Sequence, residues 1–213
     1  MENSISQMSI SNMLILEKFM REINGDNFPY EIIKLIIEPF IELLKRIDYR
    51  HYYVEFYSGT DNDKCDALVD IWGRMRNVGQ CIIFVNEIDS AYKLRTFLET
   101  ELKGVSFGVF HKGLDRLTED KIFEDFESGT CQYLISAGSS SKGIDIRSVN
   151  FVINFDMPAE SETYIDRIIR VGRYDRKSIV INFISYKRYS KIDEINRYIN
   201  EVKILTDNLE DLL

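Results

Sequence analysis

Tyr164-Ile-Asp-Arg-Ile-Ile-Arg-Val-Gly-Arg173 is the stretch on which the reading of this chain turns. Arg167 and Arg170 stand three apart and so share a face of a helix. Gly172 reads as the helix terminator, which leaves Arg173 in the loop just beyond the last turn. Three guanidiniums at one helix end repel one another unless an anion joins them, and the planar Arg fork matches phosphate oxygens bidentately. The same pattern also fits an arginine-rich solvated face paired with Asp166 and Asp175. Spacing alone leaves both readings open; the order of elements around the stretch decides between them.

Immediately before it, Phe151–Asn154 is a short apolar run, and immediately after it Ser178–Ile184 is another. Further upstream, strand patterns at His51–Tyr57, Cys81–Val85, Val105–Phe110 and Gln132–Ser136 alternate with helix patterns at Lys64–Met75, Ile88–Lys103 and Leu117–Ser128. The stretch itself lies in a helix over Ser161–Val171, and a further helix is expected from Tyr186. Strands alternating with helices imply βαβ units, hence an α/β fold with a parallel sheet and helices on both faces. In such sheets the ligand crevice lies beyond the carboxyl ends of the strands. Three polar stretches leave strands there: Asn86–Asp89, His111–Asp115 and Ala137–Asp145. The third, with two glycines and three serines, offers backbone N–H groups and hydroxyls to an anion, or is a plain surface loop.

Residues 1–48 read differently. After a polar start, apolar residues recur at helical spacing over residues 13–23 and again after Pro29, with Pro39 interrupting the second helix. The expected organisation is a helical appendage over 1–48 and an α/β domain over 49–213.

Charge and composition narrow the function classes. With 27 Lys and Arg against 35 Asp and Glu the net charge is -8, which argues against strong unassisted nucleic-acid binding. Residues 142–177 hold seven basic and six acidic residues, so an anion site is expected there. Cys65, Cys81 and Cys131 are odd in number and widely spaced, as in reduced thiols of a cytosolic or nuclear protein rather than disulfides or a zinc site. No basic leader precedes an apolar run at Met1, and no run approaches membrane-spanning length, so no membrane partner is expected.

Taken together, residues 49–200 resemble the second, C-terminal RecA-like domain of DEAD-box ATP-dependent RNA helicases, nearest the translation initiation factor four A subgroup. The resemblance rests on collinear motifs: Lys64–Trp72, Ile82–Asn86, Phe123–Gly129, Leu134–Asp145, Val152–Pro158, Tyr164–Arg173 and Ile181–Phe183. It implies a RecA-like fold in which ATP is shared with a separate first domain and RNA crosses both. Carried over by motif, Arg170 and Arg173 are arginine fingers to the γ-phosphate, and Gly143 and Asp145 lie by the nucleotide, Asp145 near the ribose. Arg167 bridges neighbouring motifs and Phe84 packs behind the arginines. Magnesium falls to the first domain, since no Gly here is followed by Lys and no Asp-Glu-Ala-Asp occurs.

Departures concentrate on the RNA side. The family's Gln-x-x-Arg stands as Arg116-Leu-Thr-Glu119, its Thr-Asp pair as Ala137-Gly138, and an Arg as Lys142. Motif VI has Asp166 where His is usual and Ile169 where Gly is usual. Two expectations follow. In one, the chain works with a separately encoded first domain or a helicase scaffold protein, its own RNA contacts weakened. In the other it is a degenerate, non-catalytic interaction module. Alone it is expected not to hydrolyse ATP.

Overall fold

Gln80–Val85 is buried at all six positions: Cys81–Val85 is the unbroken apolar run of a strand covered on both faces, and the Gln80 amide donates to the Phe126 carbonyl. It is β2 of a seven-stranded sheet in a computed structural model that describes residues 49–56, 60–75, 79–138, 149–168, 178–185, 193 and 203–204. The other strands are β1 (Tyr49–Phe56), β3 (Phe107–Phe110), β4 (Tyr133–Ala137), β5 (Val149–Asn154), β6 (Ser178–Ser185) and β7 (Lys203–Ile204). Their order is β3-β4-β2-β5-β6-β1-β7 and every pairing is parallel. Among the described residues four helices connect them: α1 (Asp61–Met75), α2 (Ile88–Glu101), α3 (Arg116–Glu127) and α4 (Ser161–Ile168). The architecture is the RecA-like α/β sandwich.

Alternation along the strands divides the core into two layers. Cys81, Ile83 and Val85 point to one face, where Leu68, Ile71 and Trp72 of α1 and Ala91, Leu94 and Leu98 of α2 cover them. Ile82 and Phe84 point to the other face, under Phe126 of α3 and Tyr164, Ile165 and Ile168 of α4. Burying each large apolar side chain contributes about 1.5–3 kcal/mol, so the layers hold the sheet rim rigid. Local chemistry fixes the helix starts: the Asp115 carboxylate accepts the Thr118 N–H at 3.0 Å and the Thr118 hydroxyl at 2.6 Å, capping α3. Those two bonds hold the Asp115 carboxyl below the usual carboxylate range.

Several boundaries differ from the sequence reading. β1 starts at Tyr49 rather than His51, because it pairs with β6 over its whole length, and β3 starts at Phe107 rather than Val105. β7 is a strand that periodicity did not reveal, being only two residues long. The appendage expected over residues 1–48 lies outside the described residues, as does most of the helix expected from Tyr186. All three cysteines are free and buried, and burial pushes the Cys65 thiol up to about 11. Among the described residues no helix is long and apolar enough to cross a membrane.

Candidate functional site

Because all strands run parallel, the residues that follow β2, β3, β4 and β5 gather on one rim. Asn86, His111, Gly138 and Asp156 stand there. Gly138 has a φ of 69°, the left-handed turn that lets the chain leave β4 beside the Asn86 carbonyl. His111 is fixed as a tautomer: its Nδ1 accepts from the Gly113 N–H at 3.1 Å, so Nε2 carries the proton and donates to the Tyr92 hydroxyl at 3.0 Å.

Asp156 ties three segments together. Its carboxylate accepts from Lys64 Nζ of α1 at 2.7 Å and from the Asn86 N–H at 3.1 Å, and its own N–H donates to the Phe84 carbonyl at 3.1 Å. Lys64 also lies 4.9 Å from the centre of the Phe155 ring, which covers the ion pair.

Arg167 of α4 is 1% exposed, and its guanidinium is spread over neutral acceptors. Nη1 donates to the Asp156 carbonyl at 2.7 Å and to Asn154 Oδ1 at 3.2 Å; Nη2 donates to Asn86 Oδ1 at 3.0 Å. The guanidinium carbon sits 5.0 Å from the centre of the Phe84 ring. Burial lowers the Arg167 pKa to about 10, and the nearby Asp156 carboxylate opposes that shift. Among the described residues, Arg167 Nε and Ser136 Oγ are buried without a hydrogen-bond partner. Of the three arginines in the motif, this one holds protein rather than facing outward.

Beneath α4 the polar contacts continue as a chain. Val152-Ile-Asn-Phe155 at the end of β5 and Val180-Ile-Asn-Phe183 in β6 are identical tetrapeptides whose first three residues pair in register, so Asn154 lies directly beside Asn182. Asn154 Nδ2 donates to Asn182 Oδ1 at 2.8 Å, and Asn182 Nδ2 donates to the Tyr52 carbonyl at 3.1 Å and the Tyr164 hydroxyl at 3.3 Å. That hydroxyl stands 3.3 Å from His51 Nδ1. Burial pushes the His51 imidazole down to about 3. Both asparagines are at most 1% exposed. Sequence reasoning did not single out Asn154, Asn182, His51 or Asp156. The signal was present: the run Val-Ile-Asn-Phe, with an amide inside an apolar stretch, occurs twice in the chain.

Among the residues carried over from the motifs, Arg167 and Phe84 come together at the rim as described. Gly143, Asp145, Arg170 and Arg173 lie outside the described residues, as do Lys142 and Ile169. Arg116 and Glu119 are on the first turn of α3, with Arg116 exposed and Glu119 half-buried. Ala137 is 3% exposed, its side chain packed in the layer under α1 and α2. A hydroxyl at that position therefore enters the core, and the surface change in this region is carried by Glu119. Among the described residues no cluster of His, Cys, Asp and Glu is arranged to hold a metal ion.

Comparison with known proteins agrees with this geometry. The family described as the helicase conserved C-terminal domain matches residues 63–175. A putative ATP-dependent RNA helicase of Acanthamoeba polyphaga mimivirus is 35% identical over 190 residues, which are 84% of this chain and 36% of that protein. The ATP-dependent RNA helicase FAL1 of Kluyveromyces lactis is 32% identical over 208 residues, 96% of this chain and 48% of that protein. The chain thus spans between about a third and a half of the length of these relatives. The solved C-terminal domain of the DEAD-box protein Dbp5 superposes with a TM-score of 0.67 at 31% identity, covering 78% of this chain and 95% of that one. Dbp5 of S. cerevisiae bound to RNA and ADP BeF3 gives 0.71 at 27% identity, over 88% of this chain and 50% of that one. With its parallel sheet, its motifs in order and these matches, the chain belongs to the helicase conserved C-terminal domain family, as a C-terminal RecA-like domain of the DEAD-box RNA helicases.

Proposed function

We propose that this chain is the nucleotide-completing half of an ATP-dependent RNA helicase, working beside a first RecA-like domain that binds ATP and magnesium. The observation that carries this reading is the anchoring of Arg167 to Asn86, Asn154 and Asp156, at the carboxyl ends of β2 and β5. An anchor there sets the exit direction of α4, and with it the approach of Arg170 and Arg173 to a γ-phosphate held opposite. Preset cations at a transferring phosphoryl group stabilise its charge without reorganisation, which is how an arginine finger works. Gly143 and Asp145 would complete the nucleotide contact. The reading predicts no ATP hydrolysis by the chain alone. With a first RecA-like domain of a related helicase supplied in trans, RNA-stimulated hydrolysis appears, and Arg170→Ala or Arg173→Ala lowers it by about 10³-fold or more. Phosphate release measured on the mixture tests this. No hydrolysis, where the relative's own C-terminal domain restores it, rejects the reading.

A non-catalytic role as a protein-binding module has its own support. The first turn of α3 carries Glu119, at the position that the motif resemblance gives to a phosphate-binding Arg. The C-terminal domain of S. cerevisiae Dbp5, in variant form, has been solved bound to Gle1 and IP6. In this second reading RNA contact is weak or lost and the partner is a helicase scaffold protein. Failure of the in-trans assay together with a stable protein complex selects it.

A further inference from the structure

Strand β3, Phe107-Gly-Val-Phe110, ends the sheet, and among the described residues it pairs on one side only, with β4. A strand in that position directs alternate N–H and C=O groups away from the sheet, a template for another strand. Folded proteins blunt such edges with short strands, charge, proline, bulges or a covering element. β3 is four residues long and carries no charge, proline or bulge, and the opposite edge ends in the two-residue β7.

Beside β3 runs a groove of about 690 Å³ whose floor is Ser106–Val109 and whose walls are α2 and α3. Its mouth is apolar: Leu117 is 82% exposed and Tyr92 43% exposed. Gly108 keeps the α3 wall close, since a Cβ there would meet Leu134 Cδ1 at 3.1 Å and Ile122 Cγ2 at 3.4 Å. Two cations line the groove, Arg95 on α2 and Lys121 on α3, against one carboxylate, Asp125. Arg95 is bonded to Glu99 at 2.8 Å, while Lys121 has no ionic partner among the described residues. With Arg95 held by Glu99, Lys121 is the cation of this lining that lacks an ionic partner among the described residues, and it stands among apolar side chains.

We propose that the β3 edge is a docking site for an extended segment of a partner protein, added as an eighth strand, with an apolar side chain on Leu117 and an acidic one on Lys121. Leu117 and Lys121 are one helical turn apart, roughly 6 Å along α3. Side chains on one face of a strand recur at nearly the same interval, roughly 7 Å. The occupant therefore carries an apolar and an acidic residue two apart, both facing α3. Backbone pairing supplies affinity and these two positions supply selectivity. The site is independent of the Arg167 network and of whether ATP is hydrolysed.

The test uses the isotope-labelled full chain and the blocked peptide Ser-Ile-Thr-Glu-Thr-Ile-Ser, whose apolar-acidic-apolar core reads alike in either direction. Amide shifts confined to residues 106–110 and α3 are expected. Affinity for this peptide should be roughly tenfold or more above that for its Lys-for-Glu counterpart. Leu117→Asp and Lys121→Glu, both at exposed positions, should each lower it by roughly tenfold or more with the circular dichroism spectrum unchanged. Equal affinity for the two peptides, shifts elsewhere, or none at millimolar peptide overturns the proposal. So does a concentration-dependent dimer of the chain that Leu117→Asp disperses, since the edge then belongs to a second copy.

Discussion

Asn182 shows how much one buried amide holds. It accepts from Asn154 and donates to both the Tyr52 carbonyl and the Tyr164 hydroxyl, so β1, β5, β6 and α4 all meet on it. Replacing it with Ala removes the acceptor of the buried Asn154 Nδ2 and the amide that bonds the Tyr52 carbonyl and the Tyr164 hydroxyl. Each unsatisfied group costs about 1–3 kcal/mol, so Asn182→Ala should destabilise the fold by about 2–4 kcal/mol. Urea unfolding of the two proteins measures this; a loss below about 0.5 kcal/mol, the range of ordinary surface changes, would mean that the polar chain is not a structural tie. Arg167 illustrates a second point at this scale. It belongs to an arginine-rich motif, yet its partners are neutral oxygens of its own domain.

At the scale of elements, α3 shows how one carboxylate sets the charge of a helix start. Asp115 caps it well, and Glu119 adds a carboxylate to the first turn, which the helix dipole favours. If RNA crosses the rim beside α3, as the motif order implies, this carboxylate meets its phosphates. Repulsion there is about 1 kcal/mol at contact in water and several-fold more near a protein surface. Glu119→Arg changes the local charge by two units, so it should raise single-stranded RNA affinity and steepen its salt dependence by about one phosphate contact. Binding isotherms of wild type and Glu119→Arg at several salt concentrations check both effects. Tight RNA binding by the unaltered chain at physiological salt, or no gain in the variant, would mean that α3 does not face RNA.

For the whole molecule the clearest solution signature is acid lability at His51. Burial keeps its imidazole neutral down to about 3, whereas the unfolded chain takes up a proton near 6.5. Between those values the unfolded state binds the extra proton, so stability falls as the pH is lowered through this window. The slope from this one group approaches about 1.4 kcal/mol per pH unit. His51→Gln keeps an acceptor for the Tyr164 hydroxyl and cannot be protonated. Its stability should fall less steeply than wild type from pH 6.5 downward, as followed by denaturant midpoints at a series of pH values. Identical slopes would place the His51 proton in water.

The sequence alone determined the repeating order of strands and helices, because buried parallel strands must be apolar throughout and covering helices must be amphipathic. It also determined the family, because motifs such as Val152–Pro158 and Tyr164–Arg173 keep their order and spacing along the chain. Tertiary structure alone decided what those residues touch. The pairing of two identical tetrapeptides depends on β5 and β6 being neighbours in register, which no local pattern encodes. Likewise the burial of Arg167 depends on Asn86, 81 residues away in the chain, arriving at the same rim. The place of β3 at the edge, among the described residues, has the same origin: a strand's neighbours are set by the path of the whole chain, and an edge is defined only once every other strand has taken its place.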